Sequence, residues 1–500
     1  MLELADASAS VRTDSTAFEK GIPIMTKKDK SPVGGLYPYA ERFGVISKFP
    51  EKGRPREEIL SELREVAKEE DSFWQTGQCS GTMYCGDTDH YAFLNEVYAN
   101  YSHVNALQRD ICPSATRFEG EITAMALDLM HADAARGSDP DERPCGSVTS
   151  GGTESIITSV LMYRDRARKE QGIREPELIL PETAHPAFEK GAHLFDLKVV
   201  RIPVDPVTTL VDLDIVRKSI NKNTVMIVGS ACNYPYGTID PIEELSTIAL
   251  EHNVGLHVDG CLGGFILPWG ERLGYDIPVF DFRLPGVTSI SADTHKYGFG
   301  LKGTSVLLCR TRSLRHHQYF ATPQWPGGKY NSPGIAGSRS GGLMASAWAS
   351  MVSLGQEGYL KYAKAIFETA FAMQDIVKLH PELRMMGNPT FCFSFTSDQF
   401  DIYHVNDFMK ERGWRFNGQQ FPNAIHMCVT RPQTQPGVVE RFATDLEKAV
   451  AYALDPPSET PRSAAIYGGY PKENAEAEEM VLGILFKYLD QCQDLPPGFD

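Results

Sequence analysis

None of the ten cysteines in this 500-residue chain stands in a C-x-x-C pair; they fall at 79, 85, 112, 145, 232, 261, 309, 392, 428 and 492. That spacing argues against a zinc ribbon, which needs close pairs of ligands, and no other metal set is apparent. Cys309 and Cys428 lie in apolar runs, so the thiols read as small buried hydrophobes in a reducing compartment. No stretch of 18 or more apolar residues occurs, so no transmembrane segment is expected. The N-terminus lacks a basic segment followed by an apolar one, so no signal peptide is visible. A cytoplasmic protein is expected. There is no Lys/Arg-rich run, and the formal net charge is −16, which argues against a nucleic-acid partner. An anionic ligand would need local positive charge in a pocket to overcome the acidic whole.

What is present fits a globular enzyme. The chain is 42% hydrophobic, 10% aromatic and 23% charged, and its length allows two or three domains around a large core. Residues 1–36 are polar and mixed in charge and read as a flexible arm. Residues 37–97 form an N-terminal helical segment, in which Ile59, Leu60, Leu63 and Val66 recur near helical spacing. Over 98–350, short apolar runs at 177–181, 198–203, 224–230, 254–260, 288–293 and 304–309 alternate with helical ones. This alternation predicts an α/β fold: a mostly parallel central sheet with helices on both faces. Ligands in such sheets sit at the carboxyl ends of the strands. Residues 351–500 change to helices mixed with amphipathic strands such as "FCFSFTS" and "IHMCVT", which suggests a smaller α+β domain.

The stretch "SISADTHKYGFGLKGTSVLLC", residues 289–309, contains Gly298, Gly300 and Gly303 in the G-x-G-x-x-G pattern. A dinucleotide site needs a helix opening from those glycines. An apolar run, Thr304 to Cys309, follows instead, so that reading fails and Lys296 and Lys302 become the residues of interest. Lys296 directly follows the run "TSISADTH". At a strand end, desolvation is expected to lower its pKa and make the amine a nucleophile toward an aldehyde. Asp259 ends "VGLHVD", where a buried carboxylate needs a cationic partner such as a pyridinium N–H; a plain turn cap is the alternative. His185 lies just beyond the run at 177–181 and could stack on a flat ring, or serve only structure. Ser150-Gly-Gly-Thr-Glu-Ser155 precedes a helical run, as an anion cradle does or as an ordinary cap does. A phosphate cradle, a ring stacker, a carboxylate for a ring nitrogen and a Schiff-base lysine together describe a pyridoxal 5′-phosphate site.

"CGSVTSGGTESI", "HVDGCLGGF", "GVTSISADTHKYG", "GIAGSRSGG" and "AAIYG" resemble the sphingosine-1-phosphate lyase family, from about Ser80 to Gly468. That family has the fold-type I architecture of pyridoxal-phosphate enzymes and is related to the group II amino-acid decarboxylases. The resemblance implies that Lys296 is the Schiff-base lysine, with His295 near the cofactor phosphate. Asp259 would pair with the pyridine nitrogen and His185 would stack on the ring. Gly151, Gly152 and Thr153 would hold the phosphate, with Ser338 of the neighbouring subunit. Tyr84 and Lys302 would face the substrate and assist catalysis, with Gln108, Arg109, Tyr236, Arg339 and Tyr467 at the substrate end.

The implied assembly is a homodimer with shared sites, Tyr84 and Lys296 coming from different subunits. The implied substrate is a phosphorylated sphingoid base, cleaved at C2–C3 to a long-chain aldehyde and phosphoethanolamine. Eukaryotic members carry an N-terminal membrane helix that is not seen here, as expected of the bacterial type. Two departures concern the substrate end. The family's "NPLHPD" is "NALQRD" here, with Gln108 for a functional His and Arg109 as a candidate replacement charge. Its "PHG" is "PYG", with Tyr236 for a His. The rivals are an amino-acid decarboxylase using the same cofactor, and a cofactor-free binding protein, against which the intact Lys296, Asp259 and His185 argue.

Overall fold

The computed structural model describes residues 37–464 and 475–496. The arm expected at 1–36 and Tyr467 lie outside the described residues. Seven strands form the central sheet: β1 (Cys145–Thr149), β2 (Glu177–Pro181), β3 (Lys198–Ile202), β4 (Thr224–Ser230), β5 (Gly255–Gly260), β6 (Val287–Ala292) and β7 (Ser305–Cys309). Their spatial order is β1-β7-β6-β5-β4-β2-β3. β3, β2, β4, β5 and β6 pair in parallel, while β7 runs antiparallel to both β6 and β1. Six of the seven are the apolar runs of the sequence. β1 is the addition: "CGSVT" is too short and too rich in small polar residues to show as an apolar run.

Side-chain alternation along the strands divides the core in two. Ile227, Leu256, Val258 and Ile290 join one apolar cluster with residues of the helices Ser114–Leu129, Ile242–His252 and Gly341–Lys378. Met226, Val228, Leu178 and Leu180 join the other, with residues of the helices Gly152–Arg166 and Ala187–Phe195. Both faces are therefore covered, which is why most of these strands read as continuous apolar runs.

The helix Gly341–Lys378 is broken at Gly355, whose φ of 56° lies in the left-handed region. Beyond it comes a four-stranded antiparallel sheet. Its strands are β10 (Arg384–Met385), β11 (Cys392–Thr396), β12 (Asn417–Gln419) and β13 (Ala424–Cys428), in the order β10-β11-β13-β12. The expected strands at 392 and 424 are present but not amphipathic. Every residue of β11 and β13 is buried, because helices and the N-terminal segment cover the sheet. A two-stranded hairpin, β8 (Phe320–Thr322) with β9 (Tyr330–Ser332), completes the β structure. The expected N-terminal helix spans Arg56–Gln75, yet only Trp74 on it is buried; Ile59, Leu60 and Leu63 are exposed in the single chain.

Candidate active site

The loop between β6 and β7 folds tightly on itself. Gly300 N–H donates to the Thr294 carbonyl at 2.9 Å, and a Cβ on Gly298 would stand 2.5 Å from that same oxygen. The glycines thus serve a turn that carries Lys296, and no helix opens from them. Lys296 Nζ lies 3.0 Å from Asp293 Oδ2. Asp293 is 2% exposed, and its other oxygen has no hydrogen-bond partner among the described residues. Burial pulls the Lys296 pKa down, but the Asp293 charge, with Tyr84 and Cys261 adding, raises it above the ordinary lysine value. The expectation that desolvation lowers it is therefore corrected: burial is the largest single effect, but Asp293, three residues away in sequence, together with Tyr84 and Cys261 outweighs it.

Around this ion pair stand the other cofactor candidates. His295 accepts the Thr304 N–H on Nδ1 at 3.2 Å, and its Nε2 lies 3.6 Å from Asp293 Oδ2. Burial first of all lowers its pKa. A Cβ on Gly152 would stand 2.7 and 2.9 Å from the Asp293 oxygens and 3.0 Å from Cys261 Sγ; one on Gly151 would lie 3.4 Å from the His295 ring. These glycines let the start of the helix Gly152–Arg166 approach the lysine loop closely. That N-terminus has no side-chain cap, so its N–H groups and dipole remain available to an anion; Thr153 there is exposed.

Asp259, on β5, is 7% exposed. Its Oδ1 accepts from Cys261 N–H at 3.0 Å and Ser291 Oγ at 3.3 Å, while Oδ2 takes no hydrogen bond among the described residues. His185 is exposed and caps the helix Ala187–Phe195, Nδ1 accepting the Ala187 N–H at 3.1 Å. No contact joins it to the lysine cluster in the described chain.

Tyr84 reaches the site because residues 79–84 are stitched to the small sheet. Ser80 N–H donates to the Arg415 carbonyl, Gly81 N–H to Cys428, and Arg431 N–H to Tyr84. Lys302 Nζ lies 4.6 Å from the Tyr84 ring centroid. Burial, with Lys296 adding, pulls the Lys302 pKa down to about 8. Burial raises that of Tyr84 well above the usual phenol value, with Lys296 and Asp293 among its electrostatic neighbours. Tyr84 thus stands beside Lys296 and Lys302 of its own chain. This corrects the expectation that the two come from different subunits: the strand-like pairing of residue 79 with 415 holds Tyr84 in place within one chain.

The remaining candidates gather elsewhere. Arg339 Nη1 donates to Glu119 Oε1 at 2.7 Å and to the Val148 carbonyl at 2.6 Å. Arg109 also pairs with Glu119, and its Nη1 bonds Thr116 at 3.1 Å. The two guanidinium groups share the one half-buried carboxylate of Glu119, which leaves a net positive charge in this cluster. Gln108 and Ser338 are exposed, and Asn105 Nδ2 donates to Ser338 Oγ at 2.9 Å. Tyr236 is buried with its hydroxyl 3.5 Å from the Phe421 carbonyl. Sequence reasoning missed Asp293 and Glu119. The signal for Asp293 was its place three residues before Lys296; none marked Glu119.

The comparisons with known proteins agree with this geometry. The pyridoxal-dependent decarboxylase conserved domain matches residues 38–395. A sphingosine-1-phosphate lyase of Dictyostelium discoideum is 41% identical over 446 residues, covering 89% of this chain and 81% of that protein. The solved structure of a sphingosine-1-phosphate lyase from Burkholderia pseudomallei is 59% identical with a TM-score of 0.86, covering 92% of this chain and all of that one. The chain belongs to the sphingosine-1-phosphate lyase family. A glutamate decarboxylase of Lactobacillus brevis, 20% identical, shares the fold, with a TM-score of 0.69 over 83% of this chain and 97% of that one.

The family's cofactor, pyridoxal phosphate, fits the residues present. A buried lysine lies beside an uncapped helix N-terminus closed in by two glycines, and a carboxylate with an open oxygen ends β5 in the same sheet. No helix among the described residues is long and apolar enough to cross a membrane.

Proposed function

We propose that this chain is a pyridoxal-phosphate-dependent aldehyde-lyase. It cleaves the C2–C3 bond of sphingosine 1-phosphate, or a related phosphorylated long-chain base, to a long-chain aldehyde and phosphoethanolamine. The observation that carries this reading is the Lys296 cluster, built on the motifs of a family whose solved Burkholderia member is 59% identical. Bound pyridoxal phosphate supplies an electron sink for the pair released when C2–C3 breaks.

Lys296 is the amine that attaches the cofactor, and its proton must first pass to a neighbour or to solvent. The helix N-terminus at Gly151, Gly152 and Thr153, with His295, holds the cofactor phosphate, and Asp259 keeps a negative charge for the ring nitrogen. Lys302, poised near pH 8, and Tyr84 face the substrate. One proton leaves the C3 hydroxyl as the aldehyde forms, and one is delivered to C2. Groups placed within hydrogen-bond reach of those atoms each contribute roughly 10²–10⁴-fold.

The test is product analysis. Protein incubated with sphingosine 1-phosphate should release aldehyde, and with a panel of amino acids no CO₂. CO₂ release without aldehyde would make it a decarboxylase. We also propose a homodimer, supported by the exposed apolar stripe Ile59, Leu60 and Leu63 and the exposed His185 and Ser338. Light scattering should give about twice the chain mass of 55.4 kDa. A cytoplasmic location is supported by ten free thiols, eight of them buried.

A further inference from the structure

Behind Asp259 runs a buried chain of hydrogen bonds that the reaction does not by itself require. In the parallel register of β5 and β6, Asp259 stands opposite Ser291 and His257 opposite Ser289. Residues two apart share a face, so all four point to the side of the helix Gly152–Arg166, while Val258 and Ile290 point into the apolar core behind. Ser291 Oγ lies 3.3 Å from Asp259 Oδ1 and 3.2 Å from His257 Nε2. His257 Nδ1 lies 2.7 Å from Ser289 Oγ, which lies 2.7 Å from the Tyr163 hydroxyl. Ser289, Ser291 and His257 are wholly buried, and Tyr163 nearly so.

The proton positions in this chain follow from its end. A carboxylate only accepts, and hydrogen bonds to a charged acceptor are about twice as strong as neutral ones. Ser291 therefore gives its single proton to Asp259. Its oxygen then has two lone pairs to fill, and two donors face it: His257 Nε2–H, and Cys261 Sγ at 3.2 Å. With its proton on Nε2, His257 accepts on Nδ1 from Ser289, and Ser289 accepts from Tyr163. The opposite polarity would take the Ser291 hydroxyl away from Asp259 and leave Oδ1 with the Cys261 N–H alone.

We propose that His257 is a positioning residue of this enzyme: as the Nε2–H tautomer it fixes the Ser291 hydroxyl on Asp259 and so keeps that carboxylate charged for the cofactor ring. The inference rests on the reading of Asp259 given above. The other titratable groups facing Asp259 are Cys261, just after the strand, and Asp240, beyond β4. Burial pulls the His257 pKa down to about 4, so the ring is neutral in the working range, as the tautomer argument needs.

The test compares full-length wild type with His257→Leu, which removes the donor, and His257→Gln, which keeps an N–H at the Nε2 position. Pyridoxal phosphate release after dilution, and the pH titration of its visible band, are the readouts. His257→Leu should release cofactor about tenfold faster, with the acid limb of the titration moved up by about one pH unit, as expected for a donor lost from a charged acceptor. His257→Gln should recover most of both. Ser291→Ala, a smaller change, should reproduce the Leu phenotype if His257→Leu does not fold, and Ser289→Ala, one link further out, should show less. Nitrogen NMR of the wild type should find the proton on Nε2. Wild-type titration and release in both His257→Leu and Ser291→Ala, or a proton on Nδ1, overturns the inference while leaving the site reading intact. A wild-type protein that binds no pyridoxal phosphate overturns both.

Discussion

Two lysines six residues apart hold their protons with different strength, for different reasons. Lys296 is held cationic by the Asp293 carboxylate 3.0 Å away. Lys302 has no such partner among the described residues, lies over the Tyr84 ring and is pulled down to about 8. A lysine with a lowered pKa is a cation below that value and neutral above it. If Lys302 binds the substrate phosphate, KM should rise as the pH passes about 8, approaching tenfold per unit, while Lys302→Met should show a weak but pH-independent KM. A wild-type KM that is flat from pH 7 to 9.5 would remove Lys302 from phosphate binding. Lys296 answers to a different measurement. Borohydride reduction of the loaded protein should fix the cofactor to the peptide containing Lys296, and Lys296→Ala should abolish that adduct. An adduct mapped to Lys302 would reverse the two assignments.

At the scale of elements, the site depends on how closely the helix Gly152–Arg166 meets the β6–β7 loop. A Cβ at Gly152 would meet two Asp293 oxygens at under 3 Å, on a side chain held by Lys296 and buried on all sides. Gly152→Ala must therefore push the loop and helix apart. Overpacking of this kind costs about 1–3 kcal/mol. The expected result is a folded protein with at least tenfold weaker pyridoxal phosphate binding in a fluorescence titration; unchanged affinity would mean that the cradle lies elsewhere.

The sequence showed most of this element because both partners announce themselves. Buried parallel strands read as apolar runs, and the glycines and Lys296 sit at the ends of such runs. Other parts were not legible. β1 lacks an apolar run because Gly146 and Ser147 stand in its first half, and Gly146 is packed so closely that a Cβ there would meet the Leu307 carbonyl at 2.8 Å. Ser394 and His426 gave β11 and β13 an alternating look, yet both side chains are buried, His426 holding Cys392 Sγ at 2.9 Å. The pairing of Arg109 and Arg339 through Glu119 joins residues up to 220 positions apart, which no local pattern encodes. The docking of the Tyr84 segment on the small sheet is equally non-local.

For the whole molecule, the buried ionisable groups set how stability depends on pH. Burial lowers His257 to about 4 and His426 to about 3, from an ordinary 6.5. Each stays neutral in the folded protein but takes up a proton in the unfolded chain below about 6.5. Their contribution is therefore complete above 6.5 and is lost as the pH falls toward 4 and 3. Asp240 acts in the other direction. Burial raises it to about 7 from 3.8, so its contribution is complete below 3.8 and is lost as the pH rises through 7. Near pH 5 the unfolded chain holds nearly two extra protons on the histidines, and the folded chain nearly one on Asp240. Among these three groups the net is about one proton, worth about 1.4 kcal/mol per pH unit in favour of higher pH. Urea unfolding of the cofactor-free protein should accordingly show stability falling between pH 6 and 4.5. Asp240→Asn removes the opposing group and should make that fall steeper by about one proton, about 1.4 kcal/mol per pH unit. If the variant and wild type show the same slope, Asp240 is ionised in the folded state. Its Oδ2, which accepts the Ser230 N–H at 2.7 Å, would then mark a buried charge held by that N–H and the Asn233 side chain.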